Sequence, residues 1–290
     1  MSLLVLVTAL WAFSFSLIGV YLSGQVDSYF AVLMRVGLAF LVFLPLLRPR
    51  LLRPRQMVVL LGVGALQLGV MYIFFYQSFL LLSVPEVLLF TIFTPIYIAL
   101  LDDLLFGRFT PFYLLTAILA VIGAAVIRYQ SVSESFWAGF LVVQGANLCF
   151  ALGQVGYRRF SATLPDELPR HSVFAWFYLG ALVVALPAFL LLGNVEALPT
   201  SGLQWGVLLW LGLVASGLGF FMWNLGAVKV DAGTLAIMNN ALIPAGLLVN
   251  LVIWNRDADL MRLALGAVII GVSLWLNHWW KKRKEAALVS

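Results

Sequence analysis

The chain has 290 residues, 63% of them hydrophobic and only 10% charged, with a formal net charge of +5. Its mean hydropathy is +1.06. Soluble domains average about 45–50% apolar and about 25% charged residues, so this chain has too few charges to clothe a water-facing core, which excludes a soluble enzyme or a nucleic-acid-binding domain.

A helix crosses the ~30 Å hydrocarbon layer with about 20 apolar residues, and segments of that length follow one another almost end to end. The hydropathy predicts an all-α membrane protein of about ten transmembrane helices. Spans 1 to 5 are expected at Ser2–Leu22, Tyr29–Leu47, Gln56–Tyr76, Glu86–Phe106 and Pro111–Ile127. Spans 6 to 10 follow at Phe136–Tyr157, Ser172–Leu192, Gln204–Ala227, Val230–Ile253 and Leu260–Trp280. The first apolar run has no small-residue cleavage site in a suitable place, so it reads as a retained span rather than a signal peptide.

The loops set an orientation. With the amino terminus in the cytoplasm, that side carries Arg48, Arg50, Arg53, Arg55, Arg108, Arg158, Arg159, Arg170, Lys229 and the tail Lys281, Lys282, Arg283 and Lys284. The opposite side carries Arg128, Arg256 and Arg262. An excess of thirteen to three over short loops predicts both termini in the cytoplasm. In a bacterium the membrane concerned is the inner (plasma) membrane.

The halves, 1–130 and 131–290, read as a repeat. Val84–Val126 and Val230–Leu274 each hold an apolar helix interrupted by proline (Pro95, Pro244), a short charged turn and a helix rich in Gly and Ala. Five spans per half is an odd number, so the second half must lie inverted relative to the first, a plan of secondary transporters that bind substrate near the midplane between the repeats. Each proline removes an N–H and frees the carbonyl four residues earlier. Those carbonyls belong to Thr91 and Asn240, and the two helix breaks are expected to border a binding cavity, or else only to shape packing.

Polar residues within the spans are the candidate site. Arg35 lies inside span 2 among apolar neighbours; a buried Arg is costly and demands a cavity or a counter-charge. Glu86 opens span 4 just after Pro85. It reads as a helix-start residue favoured by the macrodipole, as a counter-charge to Arg35, or as a coupling carboxylate. Gln144 and Asn147 share one face of span 6, and Asn239 and Asn240 lie one turn before Pro244. Amides supply donors and acceptors for a neutral polar group; their alternative role is hydrogen bonding between helices. Trp223 and Asn224 lie together in span 8. Among the aromatics Trp11, Phe15, Tyr72, Tyr76, Trp176 and Tyr178, the residues Trp11, Tyr72 and Trp176 are candidates for a stacking wall. The small-residue patch Ala215–Gly219 is expected to serve close helix packing. Cys149 reads as a small core residue.

No phosphate-binding loop, metal-ligand spacing or selectivity-filter pattern occurs in the sequence. No cofactor, metal, nucleic acid or ATPase subunit is therefore expected. The partners are a small-molecule substrate and the lipid bilayer.

The stretches WAFSFS (Trp11–Ser16), VDSYFAVLMRVGLA (Val26–Ala39), LQLGVMY (Leu66–Tyr72), GFFMWN and VDAGTLAIMNN (Val230–Asn240), set on ten short-looped spans, resemble the EamA-type branch of the drug/metabolite transporter superfamily, and within it the biotin-importing group. The resemblance runs along essentially the whole chain. It implies uptake of biotin across the inner membrane, driven by an ion gradient. Arg35 would then meet the valerate carboxylate, the amides the ureido ring and the aromatics the thiophane ring. The wider branch also contains exporters of amino acids and related carboxylate or amine metabolites. That function is the alternative: Arg35 would read the carboxylate and Glu86 would face the ammonium. A non-transporting scaffold would need neither inverted repeats nor broken helices.

Overall fold

The computed structural model describes residues 1–107, 109–127, 136–254 and 260–289. All regular structure among them is helical. Eight stretches are long and apolar enough to cross a membrane, and two further helices carry shorter apolar stretches, at Pro111–Ile122 and Ala264–Trp280. In chain order the helices are α1 (Ser2–Leu22), α2 (Ser28–Leu46) and α3 (Pro54–Leu81), then α4, which consists of Val84–Phe90, Thr91–Phe93 and Thr94–Phe106. They continue with α5 (Pro111–Ile127), α6 (Phe136–Ser161), α7 (Arg170–Leu192) and α8 (Gly202–Ala227). The last two are α9, divided into Ala232–Asn240 and Leu242–Trp254, and α10 (Leu260–Val289). A helix stands at each of the ten expected positions, with α3, α6 and α10 running several residues beyond their expected ends.

Local chemistry starts these helices. Asp27 caps α2 by accepting the Phe30 N–H at 2.7 Å. Ser201 and Gln204 form a reciprocal capping box on α8, and Asp231 accepts the Thr234 N–H at the head of α9. Each cap satisfies backbone donors that the helix leaves open. Outside the bundle, Leu191, Val252 and Leu141 are exposed, whereas Arg35, Gln67, Gln154, Asn224 and Asn240 are buried within it. This apolar exterior around a partly polar interior suits lipid as the solvent.

Helices five places apart pack directly on each other: α2 on α7, α4 on α9, and α5 on α10. Such pairing is what a two-fold relation between two five-helix halves would produce. The division placed between residues 130 and 131 lies outside the described residues.

Proline alone does not break the two paired helices where the sequence suggests. In α4 the break is the tight turn Thr91–Phe93, and Pro95 lies in the first turn of the helix that restarts, where its missing N–H costs nothing. The Thr91 carbonyl, expected to be free, accepts the Thr94 N–H. Side chains of other helices satisfy the carbonyls of Phe90 and Ile92. Phe90 accepts from Gln144 Nε2 at 3.2 Å and from Asn147 Nδ2 at 2.8 Å; Ile92 accepts from Asn240 Nδ2 at 3.2 Å. The last bond joins one broken helix to the other. In α9 the break falls at Ala241, with Pro244 again in the restarting turn.

Three spans carry wide π-helical turns, at Ile18–Leu22, Ala65–Val70 and Leu211–Leu218. The last two lie in α3 and α8, the third helices of their halves. In α8 the loosened ladder offers carbonyls to other side chains. Trp11 Nε1 donates to Ala215 O at 2.8 Å, and the Tyr178 hydroxyl donates to Ser216 O at 2.9 Å. The small-residue patch therefore anchors α1 and α7 as well as packing closely.

Candidate functional site

A cavity of ≈ 100 Å³ opens between the halves. Arg35 from α2 and Tyr72 from α3 stand on its wall, with Trp11, Ser14 and Phe15 of α1 and Thr91 and Thr94 beside the α4 break. Asn147 and Phe150 of α6, Phe220 and Trp223 of α8, and Asn239 of α9 also line it. The two broken helices and the third helix of each half converge on this space, and their irregular backbone lies inside protein, as it must at membrane depth.

Arg35 is 2% exposed. Its Nε donates to Ser216 Oγ at 2.9 Å, one terminal nitrogen to the Tyr76 hydroxyl at 3.2 Å, and the other to the Tyr72 hydroxyl at 2.5 Å. The Tyr72 and Ser216 hydroxyls share a further bond of 2.8 Å. The guanidinium also lies over the Tyr72 ring, 4.1 Å from its centroid, a cation–π contact. A guanidinium has five N–H donors, so one on each terminal nitrogen is left. These neutral partners hold and orient the charge without cancelling it. No Asp or Glu is among the residues lining the cavity.

The expected pairing of Arg35 with Glu86 is not made. Glu86 Oε2 turns back on its own helix start, accepting from Ser83 N and Ser83 Oγ at 2.8 Å each. This is the helix-start role that a carboxylate in the first turn fulfils.

Of the nine residues expected to bind substrate, six line the cavity: Trp11, Arg35, Tyr72, Asn147, Trp223 and Asn239. Three do not. Asn240 is directed at the Ile92 carbonyl. Gln144 accepts from Tyr97 Oη and Asn147 Nδ2 at 3.1 Å each and so holds Asn147 in place. Trp176 sits half-buried at the start of α7, away from the cavity. Gln144, Asn147 and Asn240 all donate to carbonyls at the α4 break, so the broken backbone claims amides before a ligand can.

Sequence reasoning passed over Ser216 and Ser14, and noted Tyr76 only as an aromatic. Ser216 stands in a run of small residues that looks like packing alone. The usable signal lay in Tyr72 and Tyr76, one helical turn apart on the same face, opposite a lone intramembrane Arg.

The aromatic wall is continuous. The Trp11 ring lies 4.9 Å from that of Trp223 and 4.9 Å from that of Phe220, and 6.0 Å from that of Phe150. The cavity wall thus offers an oriented cation beside flat apolar faces with a few polar atoms, the general make-up of a small-molecule site.

The EamA-like transporter family profile matches residues 1–129. The chain is 56% identical over 286 residues to the "Probable biotin transporter" of Pseudomonas aeruginosa, covering 99% of this chain and 100% of that one. It is 54% identical to the biotin transporter of Escherichia coli (strain K12), covering 97% and 93%, and 53% identical to that of Salmonella typhimurium, covering 99% and 95%. A crystal structure superposes on 98% of this chain and 99% of its own with a TM-score of 0.76 at 20% identity, a likeness of fold. With a ten-helix bundle, a cavity enclosed between its helices and relatives more than half identical along nearly their whole length, the chain belongs to the EamA-like transporter family.

Proposed function

We propose that this protein imports biotin across the bacterial inner membrane, driven by an ion gradient, with both termini in the cytoplasm. The observation that carries the reading is Arg35, a buried cation held only by hydroxyls on the wall of a largely aromatic cavity. Such a charge is expensive while unpaired, and a carboxylate entering the cavity relieves that cost. Biotin brings one carboxylate, an apolar bicycle suited to the Trp11, Phe150, Phe220 and Trp223 faces, and a neutral ureido group. The 53–56% identity to biotin transporters supports the same substrate. No catalytic step is needed.

An amino acid fits this cavity less well. Its ammonium would require a counter-charge, and the lining contains no carboxylate. Glu86, the residue offered for that task, is occupied at its helix start.

The test is uptake of labelled biotin at nanomolar concentration by a bacterium that can neither make nor import it. Expression of this chain is expected to restore uptake, and a protonophore is expected to abolish it. Arg35→Gln is expected to remove uptake while the protein still inserts. A correctly inserted wild-type chain that moves no biotin would discard the reading.

A further inference from the structure

Most polar side chains on the cavity wall are already committed to the protein. Trp11 gives its N–H to Ala215 O, Thr8 its hydroxyl to Leu4 O, and Thr91 its hydroxyl to Leu88 O. Asn239 exchanges bonds with Gln154 and donates to Leu235 O at 2.8 Å.

Three further cavity residues have a polar atom left over. Trp223 is 1% exposed, and its Nε1 has no hydrogen-bond partner; Ser14 Oγ is likewise buried without one. Asn147 spends Nδ2 on the Phe90 carbonyl and on Gln144 Oε1. That pairing also fixes the amide's orientation, because only Nδ2 can face a carbonyl, and it leaves Oδ1 uncommitted. Buried polar groups are ordinarily bonded, and an orphan calls for an explanation. All three lie on the cavity wall, two of them beside the Trp11 indole. Ser14 lies one turn along the same helix, the Trp223 ring is in contact with it, and Phe150, one turn from Asn147, flanks it.

We infer that Trp223, Ser14 and Asn147 form a second, uncharged subsite that reads a cyclic urea. The set offers one firm donor, the indole N–H, and two acceptors, Asn147 Oδ1 and Ser14 Oγ. A cyclic urea presents the complement, one carbonyl acceptor and two N–H donors. Trp223 donates to the carbonyl oxygen, and the ring N–H groups donate to Asn147 and Ser14. Arg35 meanwhile holds the carboxylate, so the two subsites fix the two ends of one ligand. This assignment rests on the biotin reading above and names the group that gives it selectivity.

The purified protein in nanodiscs would be titrated with biotin, its thiocarbonyl analogue and a ring N-methyl analogue, all three retaining the carboxylate. Wild type is expected to prefer biotin about tenfold over each analogue, the size of one lost hydrogen bond. Trp223→Phe, which keeps an aromatic face, is expected to erase the preference over the thiocarbonyl compound alone. Ser14→Ala is expected to reduce only the preference over the N-methyl compound. Variants that keep both preferences, or weaken all three ligands equally, overturn the subsite while leaving the function intact. Wild type that binds no biotin overturns both. If Trp223→Phe does not fold, the Ser14→Ala arm decides.

Discussion

Arg35 is an expensive side chain to bury in the bundle, and its neighbours explain how the chain tolerates it. Tyr72, Tyr76 and Ser216 give three neutral acceptors, so the guanidinium is solvated but not neutralised. Tyr72 does most of this, because it accepts from Arg35, bonds Ser216 and lies beneath the charge. We predict that Tyr72→Phe keeps the ring contact but loosens the guanidinium. Hydrogen bonds to charged groups are worth about 1.5–3 kcal/mol, so biotin binding should weaken at least about tenfold. A neutral ester of biotin should be unaffected, since it asks nothing of the charge. Equal weakening of acid and ester in a titration would show that Tyr72 shapes the cavity rather than orienting Arg35. At this scale a lone Arg among AVLM and VGLAF was legible, because nothing in lipid excuses it. Ser216 was not: a serine in a small-residue run carries no sign of which wall it faces. The roles of Gln144 and Asn240 were hidden for a related reason. Sequence marks an amide near a helix break but cannot say whether backbone or ligand receives it.

At the scale of elements, helix existence was readable from hydropathy and helix irregularity was not. Pro95 and Pro244 marked the right two helices, yet each proline sits where a new helix starts, and the break lies a few residues earlier. The π turns in α3 and α8 leave hydropathy unchanged, since one extra residue per turn shifts the facing without adding polarity. Close approach between helices was also hidden, although glycine permits it. At Gly180 of α7 an added Cβ would stand 1.9 Å from the Leu61 carbonyl oxygen of α3, and at Gly64 of α3 one would stand 1.8 Å from the Phe177 oxygen of α7. Two helices touch backbone to backbone there, a contact that small residues provide in membranes. Gly180→Ala is therefore expected to destabilise the protein by about 1–3 kcal/mol or more, lowering its thermal midpoint in detergent. Gly206→Ala on α8, where nothing lies within 4 Å, serves as the control. If the two variants melted alike, the α3–α7 contact would not have the closeness described.

At the scale of the whole molecule, pairing of α2 with α7, α4 with α9 and α5 with α10 makes the cavity a property of both halves together. Neither half contains it: Arg35 and Tyr72 come from the first, Trp223 and Asn239 from the second. Orientation in the membrane is the remaining global property, and it rests on the thirteen-to-three distribution of basic residues over the loops. The chain's single cysteine makes a direct test simple, because Cys149 is buried within α6 and should react slowly with a polar maleimide. Asp166 lies in the turn between α6 and α7, and Glu196 in the turn between α7 and α8; both are exposed. With the amino terminus inside, the first turn faces the cytoplasm and the second faces outward. Glu196→Cys should therefore be labelled by a membrane-impermeant maleimide in cells whose inner membrane is intact, and Asp166→Cys only after that membrane is opened. The reverse pattern would place Arg48 to Arg55 and the Lys281–Lys284 tail outside and sink the orientation. Labelling of both in intact cells would mean a mixture of two insertions, an outcome that so strong a charge bias argues against.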